Sequence, residues 1–472
     1  MELSLGMIIL IFIAVSAAVT FLIKRYLKAD TYLLISLIKT QKPLAFFDRM
    51  SKHKRFLDIF SAIGLYMGFG AIAMDFVYGR KMGGVKRAAL FAGSFLSLSG
   101  MLWAVDAFIL NSGLSTSILI GPTFPLLLAV FGISGLAGFT LFSLFLQAAD
   151  IIAKYFIGVK GCPGVAPLIP GVEIPGVPIT PPLHAWISLI IILLAHEGMH
   201  GIVGRRHGFK IKSTGVLLFG PLPVGAFVEP DEKEMKGEED SKVLRFLAAG
   251  PMANLALMAV SGIVLFAAML SIGPITDALY PGLQQNLVSG VMVSSVLEST
   301  GFCGQEYASS AHGMMLPGDV IKSVGGAEVR NLSDLFAQLQ KDRLAEKTFV
   351  IDRNSAEVTM TLAPNELGQF GFRPVNIRNE AYAIPESFPL YISVATLFTD
   401  FIYWLFLLNF LVASINFLPM NPFDGGRMGK ILLSPYFNFL GKGKEETQRV
   451  IERALLTVIL LLLLINALPL FI

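Results

Sequence analysis

Between Trp186 and Gly204 an almost uncharged apolar run contains His196-Glu-Gly-Met-His200, a His-Glu-x-x-His pattern. In a helix its two histidines are one turn apart on one face, so both imidazoles can reach one ion with Glu197 beside it. A pair of packed core histidines would be the plain alternative, but it leaves Glu197 unexplained. An ionisable side chain in hydrocarbon is costly and by default marks a functional site. The run therefore constrains the chain to a metal site inside a membrane helix.

The rest of the sequence agrees with that setting. With 54% hydrophobic and 15% charged residues and a mean hydropathy of +0.67, the chain has too little polar surface for a soluble globule and reads as an α-helical polytopic membrane protein. A net charge of +3, spread over the loops, speaks to topology and gives no reason to expect a nucleic-acid partner. Two cysteines, Cys162 and Cys303, exclude a disulfide framework or a Cys-rich zinc module.

Apolar runs long enough to cross the hydrocarbon core lie at 3–23, 57–78, 89–110, 118–147, 184–204, 246–271, 388–418 and 454–472, giving about eight transmembrane helices. The first lacks a basic leader and a small-residue cleavage site, so it reads as a retained span. Segment 24–56 carries nine Lys and Arg residues and is expected in the cytoplasm. The span with His196 then runs from outside to inside, and its exit at Arg205, Arg206, Lys210 and Lys212 is basic, as that rule asks. One loop disagrees. Arg80, Lys81, Lys86 and Arg87 fall outside on this count, so either loop 79–88 is an exception or an early span is re-entrant.

Five regions follow: an N-terminal transmembrane extension (1–150), a Gly/Pro-rich outer loop (151–183), a first part of the catalytic membrane core (184–275), a small α+β domain (285–380) and a second part of the core (385–472). In the first core part, 215–228 reads as two short strands about a Gly-Pro turn. Within 285–380, Val291–Val296 and Val358–Leu362 read as strands, Thr348–Ile351 precedes a turn at Arg353-Asn354-Ser355, and Leu332, Leu335, Phe336 and Leu339 give a helical stripe. Leu316-Pro-Gly-Asp319 with the following strand and helix resembles the PDZ signature, and Leu367-Gly-Gln-Phe-Gly-Phe372 resembles a peptide-cradling loop placed last, as in circularly permuted PDZ domains. Cys162 and Cys303 fall on one side of this topology, so a disulfide between them is possible, although their sequence positions give it no support.

Two histidines leave a zinc ion short of ligands, since catalytic sites use three protein ligands and an open position. His53, His184, His207 and His312 fail by distance or side. A membrane carboxylate is expected instead, from Asp75, Asp106, Asp400 or Asp424. By depth, Asp106 and Asp424 fall level with the histidines, and Asp75 and Asp400 do not. Asp424 has the better setting, because Asn416-Phe-Leu-Pro-Met-Asn-Pro-Phe-Asp424-Gly-Gly426 breaks a helix and can turn a short carboxylate toward its neighbour.

Together, His196-Glu-Gly-Met-His200, Gly250-Pro-Met-Ala-Asn254 and Asn416-x-x-Pro-x-x-Pro-x-Asp424-Gly425 resemble, in order and in spacing by span, the site-2 protease family of intramembrane zinc metalloproteases. The resemblance covers roughly 184–472, with Phe423 where the commonest family version has Leu. The basic stretch Arg49–Arg55 is more similar to archaeal members. What the resemblance implies is zinc (Zn2+) held by His196, His200 and Asp424, Glu197 as general base and acid, and Asn416 and Asn254 as substrate-binding candidates. It also implies a transmembrane protein substrate, cut in or near its span; the crossing count puts the PDZ-like domain outside the plasma membrane and the site toward the cytoplasm. Two other readings use the same residues. Asp75, Asp106 and Asp400 would line the ion path of a transporter, although no inverted repeat is visible. An inactive pseudoprotease would bind partners through the PDZ-like domain, although the motif is intact.

Overall fold

The computed structural model describes residues 5–27, 29–111, 123–174, 177, 179–302 and 305–471. The chain begins with α1 (Leu5–Leu27), β1 (Asp30–Tyr32), β2 (Ile35–Thr40), α2 (Leu44–Met50), α3 (Lys54–Val77), α4 (Gly84–Asn111) and α5 (Phe124–Phe156). Then come α6 (Ala185–Arg206), β3 (Ile211–Phe219), β4 (Leu222–Pro230), α7 (Glu232–Lys236), α8 (Asp240–Leu279) and α9 (Leu283–Asn286). A β-rich segment holds β5 (Val288–Val296), β6 (Ser299–Phe302), β7 (Gln305–Ala308), β8 (Val320–Val324), β9 (Ala327–Glu328), α10 (Leu332–Gln340), β10 (Lys347–Arg353), β11 (Ala356–Leu362) and β12 (Phe372–Arg378). The chain closes with α11 (Phe388–Phe417), α12 (Asp424–Leu433) and α13 (Lys444–Ala467).

Among the described residues, seven helices have the length and apolarity to cross a membrane. Two of them do not run straight. In α3 the backbone leaves the helix at Gly70 (φ 56°, ψ −143°), and in α5 at Gly135 (φ 59°, ψ −152°), both in the left-handed region that glycine tolerates. The guanidinium of Arg245 donates both to Asp58 O (2.6 Å) and to Tyr78 Oη (3.1 Å). In a straight helix those two residues would stand about 30 Å apart. α3 is therefore a hairpin with both ends on one face.

The same reasoning applies to α5. The rings of Phe131 and Phe139 lie 5.8 Å apart, against about 12 Å of rise for eight helical residues. Its first limb runs antiparallel to α4, with Ser99 Oγ donating to Leu128 O and a Cβ on Gly132 placed 2.8 Å from Phe95 O. Its second limb runs along α13, where Asn466 donates to Leu144 O. The apices touch. A Cβ on Gly70 would lie 2.7 Å from Gly132 O and 2.8 Å from Gly135 N, and one on Gly135 would lie 2.6 Å from Gly68 C.

Two of the eight apolar runs thus turn back within the layer, because a window of hydropathy registers length and not direction. The reversal also removes the disagreement at loop 79–88. Asp58 is paired with Arg206 at 2.7 Å, and Tyr78 shares Arg245 with it, so this basic loop lies on the same face as Arg205 and Arg206. α1 is helical over the described part of its expected run.

Four antiparallel strands form one sheet in the order β1-β2-β3-β4. The 215–228 hairpin is longer than expected, and β2 pairs with β3 from Ile35↔Phe219 to Thr40↔Thr214. Residues 30–40, read only as part of a basic segment, thereby become sheet. The second sheet has the order β11-β10-β8-β5-β12, with β9 beside β8. Its core is Val291, Val293, Ile321, Val324, Leu335, Phe349 and Ile351. The Arg353-Asn354-Ser355-Ala356 turn has positive φ at Asn354 and Ser355, which suits the twist of a tight hairpin. Asp319 of the Leu-Pro-Gly-Asp stretch is 1% exposed at its side chain and paired with Arg353. Cys162 is disulfide-bonded; Cys303 lies outside the described residues.

Candidate metal centre

Helix α6 forms over an Ile/Leu-rich stretch and ends where His207 and Gly208 close the last turn against Gly204 and Arg205 carbonyls. The i, i+4 spacing puts His196 and His200 on one buried face, at 6% and 5% exposure. Their Nε2 atoms are 3.2 Å apart. α11 ends at Phe417, the Pro-containing segment 418–423 folds back, and Asp424 opens α12 with its Oδ2 3.2 Å from His196 Nε2 and 3.1 Å from His200 Nε2. Among the described residues these three are the group able to hold a metal ion.

The donor set fits zinc. Bond lengths near 2.0–2.1 Å in a tetrahedron require ligand atoms about 3.3 Å apart, close to the three separations observed. Three such atoms make one face of the tetrahedron and leave a fourth vertex open. The third helix leaves the ligand atoms uncrowded: a Cβ on Gly250 of α8 would come within 2.7 Å of His196 Nε2 and closer still to His200 Nε2.

The same helix orients both rings. His200 Nδ1 lies 2.8 Å from Phe246 O, so Nδ1 carries the proton and Nε2 offers its lone pair. Pro251 has no N–H to give to Leu247 O, which loosens the turn that presents Phe246 O. His196 Nδ1 lies 2.9 Å from the Asn254 amide. Asn254 Nδ2 faces that nitrogen; once Nε2 is given to a metal, Nδ1 is protonated, and the amide must turn over for its otherwise unpartnered oxygen to accept from it. Asn254 is fully buried. It was expected among the substrate contacts, and it sits instead behind a ligand ring. A Gly-Pro beside an Asn in the span after a His-Glu-x-x-His helix was the available signal.

Glu197 points to the sheet, its Oε2 accepting from Val228 N at 2.8 Å. It shares a cavity of about 670 Å³ with His196, His200, Asn416, Asp424 and the β4 residues Phe227 to Pro230. Asn416 donates to Val412 O within α11 and lines that cavity. The other intramembrane acids are elsewhere. Asp75 is held by Nε and Nη2 of Arg87 (2.6 Å each) and by Tyr436 Oη (2.6 Å), on the basic face and not on the opposite one expected from a straight α3. Asp400 pairs with His184 at 3.1 Å. Asp106 stands nineteen residues along α4 from Arg87, about 28 Å away, so it lies toward the opposite face and its expected depth is also corrected.

Comparison with known families gives a match to peptidase family M50 over residues 184–465, more than half of the chain. The chain belongs to that family. M50 members are metallopeptidases, and the matched span contains His196, Glu197, His200, Gly250, Asn254, Asn416 and Asp424. A curated relative is the "Uncharacterized protein MJ0971" of Methanocaldococcus jannaschii, 29% identical over 250 residues, which cover 52% of this chain and 56% of the relative. The chain thus spans little more than half the length of that protein. α1 to α5, with both hairpins, precede the M50 match.

Proposed function

We propose that this M50 member is a zinc metalloendopeptidase that cuts membrane-anchored regulatory proteins within or beside their transmembrane segments. The observation that supports it is the convergence of three donors at zinc-like separations with a carboxylate, Glu197, in one cavity walled by a strand edge. His196, His200 and Asp424 would hold the metal. When bound, zinc lowers the pKa of water toward neutrality and polarises a carbonyl. Glu197 takes the proton of the attacking water and passes it to the leaving amine.

A transmembrane helix hides its carbonyls in its own hydrogen bonds, so the substrate must be unwound before attack. Among the described residues β3 has neighbours on both sides and β4 has one. Its free edge lies in the cavity with Glu197 and offers backbone partners to an extended peptide. Asn416, which lines the same cavity, would hold that peptide. The β-rich segment, read as PDZ-like, filters substrates on the far side of the membrane, and the basic face with Arg80, Arg87, Arg205 and Arg206 is cytoplasmic. Cleavage then releases a cytoplasmic fragment, as regulated intramembrane proteolysis requires.

Purified protein in proteoliposomes with a model single-span substrate tests this reading. Glu197→Gln is expected to keep zinc and lose cleavage, and Asp424→Ala to lose both. Undiminished cleavage by Glu197→Gln would refute the proposal.

A further inference from the structure

The two histidines ride on one rigid helix, but Asp424 comes from the end of a broken one. Its carboxylate goes where the backbone 417–425 carries it. That backbone is gripped from outside the M50 match. Phe417 is fully buried, its ring edge-on to Phe69 at 6.4 Å, and a Cβ on Gly68 would sink into it, 3.0 Å from Cζ and closer to Cε1. The next residues, Leu418 and Met420, pack with Leu144 and Ala148 of α5. Gly425 in turn lies so close to the Phe417 and Leu418 carbonyls that it has no room for a Cβ. On the far side of α12, Tyr436 is tied to Asp75 at 2.6 Å.

We propose that the re-entrant hairpin α3, braced at its apex by α5, is a clasp that sets the position of Asp424, with Gly68 and Asp75 as its positioning residues. Gly68 fixes the ring seven residues before Asp424 and Asp75 the hydroxyl twelve residues after it. The helix-breaking segment is thereby held at both ends by one element. The Gly70–Gly135 contact keeps that element from sliding, since neither apex can move without driving backbone into backbone. Among outer partners of a metal site, removal typically costs 10- to 100-fold in metal affinity or activity.

This inference rests on the metal reading above. Its test is zinc affinity, by competition with a chromogenic chelator, on the purified full-length chain. Gly68→Ala is expected to weaken zinc about 10- to 100-fold and to lower kcat while KM for the model substrate stays within about twofold, because the substrate edge is untouched. Phe417→Leu, which shortens the ring, is expected to restore both when added to Gly68→Ala. Tyr436→Phe, which keeps the packing and removes only the hydroxyl, is expected to weaken zinc several-fold, toward the lower end of that range. Wild-type zinc affinity in folded Gly68→Ala, or a loss that Phe417→Leu does not relieve, overturns the clasp. If Gly68→Ala does not fold, Tyr436→Phe decides: unchanged affinity there overturns it. A wild-type chain that holds no zinc would instead sink the metal reading itself.

Discussion

The backbone amide of Val228 donates to Oε2 of Glu197 at 2.8 Å. One N–H of the sheet edge therefore occupies the carboxylate that the chemistry needs. A peptide laid along β4 would compete for the same amide and release it. Proline is tolerated on edge strands where the N–H faces away from the neighbour, so Val228→Pro is expected to leave the sheet and the zinc content intact. Turnover of a transmembrane substrate is expected to fall at least about 10-fold, the effect of losing roughly 1.4 kcal/mol of transition-state stabilisation. Val228→Ala, which keeps the amide, serves as the comparison. Equal turnover of the Pro and Ala variants would show that this amide has no part in the reaction.

Gly250 contributes to the centre by lacking a side chain. Because its Cβ would stand within 2.7 Å of His196 Nε2 and nearer to His200 Nε2, Gly250→Ala must push the two rings apart or fill the ion's place. Zinc affinity by chelator competition is expected to fall at least about 100-fold below wild type, beyond the usual effect of an outer partner, and zinc per protein after desalting to fall below one. Stoichiometric zinc in a folded Gly250→Ala protein would mean that the ion sits elsewhere.

Acid sensitivity should arise in part from His207, at the end of α6. Burial pushes its imidazole down from 6.5 to about 4, against the opposing pull of Asp58. The unfolded chain then takes up a proton between those values that the folded one refuses. Stability from this group is complete above pH 6.5 and is lost as pH falls toward 4, by up to about 3 kcal/mol at 1.36 kcal/mol per unit. Thermal unfolding at pH 7 and pH 4.5 should show a smaller acid loss in His207→Gln than in wild type. An identical loss in both would assign the effect to other groups.

The histidine pair was legible because a metal on a helix demands i, i+4 spacing, and Asp424 because Pro and Gly announce a broken helix end. Gly250 and Asn254 were visible as a motif, but their work depends on which face of α8 meets α6, a matter of tertiary packing. The hairpins were the chief surprise. Gly64, Gly68 and Gly70, and Gly132, Gly135 and Gly138, stand in two runs that look like spans, and a glycine in a membrane helix is as compatible with close packing as with reversal. The misplaced charges of loop 79–88 held the information that decided between them. β2 escaped notice because its partner β3 lies some 180 residues away, and the three-residue β1 with it, since β1 pairs with β2.

β2 pairs with β3 over six residues, so the flank of β3 opposite β4 has its backbone partners in a segment that precedes the M50 match. The M50 segment is therefore not a detachable module in this chain. Excised at residue 184, it would leave the flank of β3 bare and the ring of Phe417 without its seat, so the first two fifths or so of the polypeptide are as much a part of the protein's body as the helices that carry the candidate ligands.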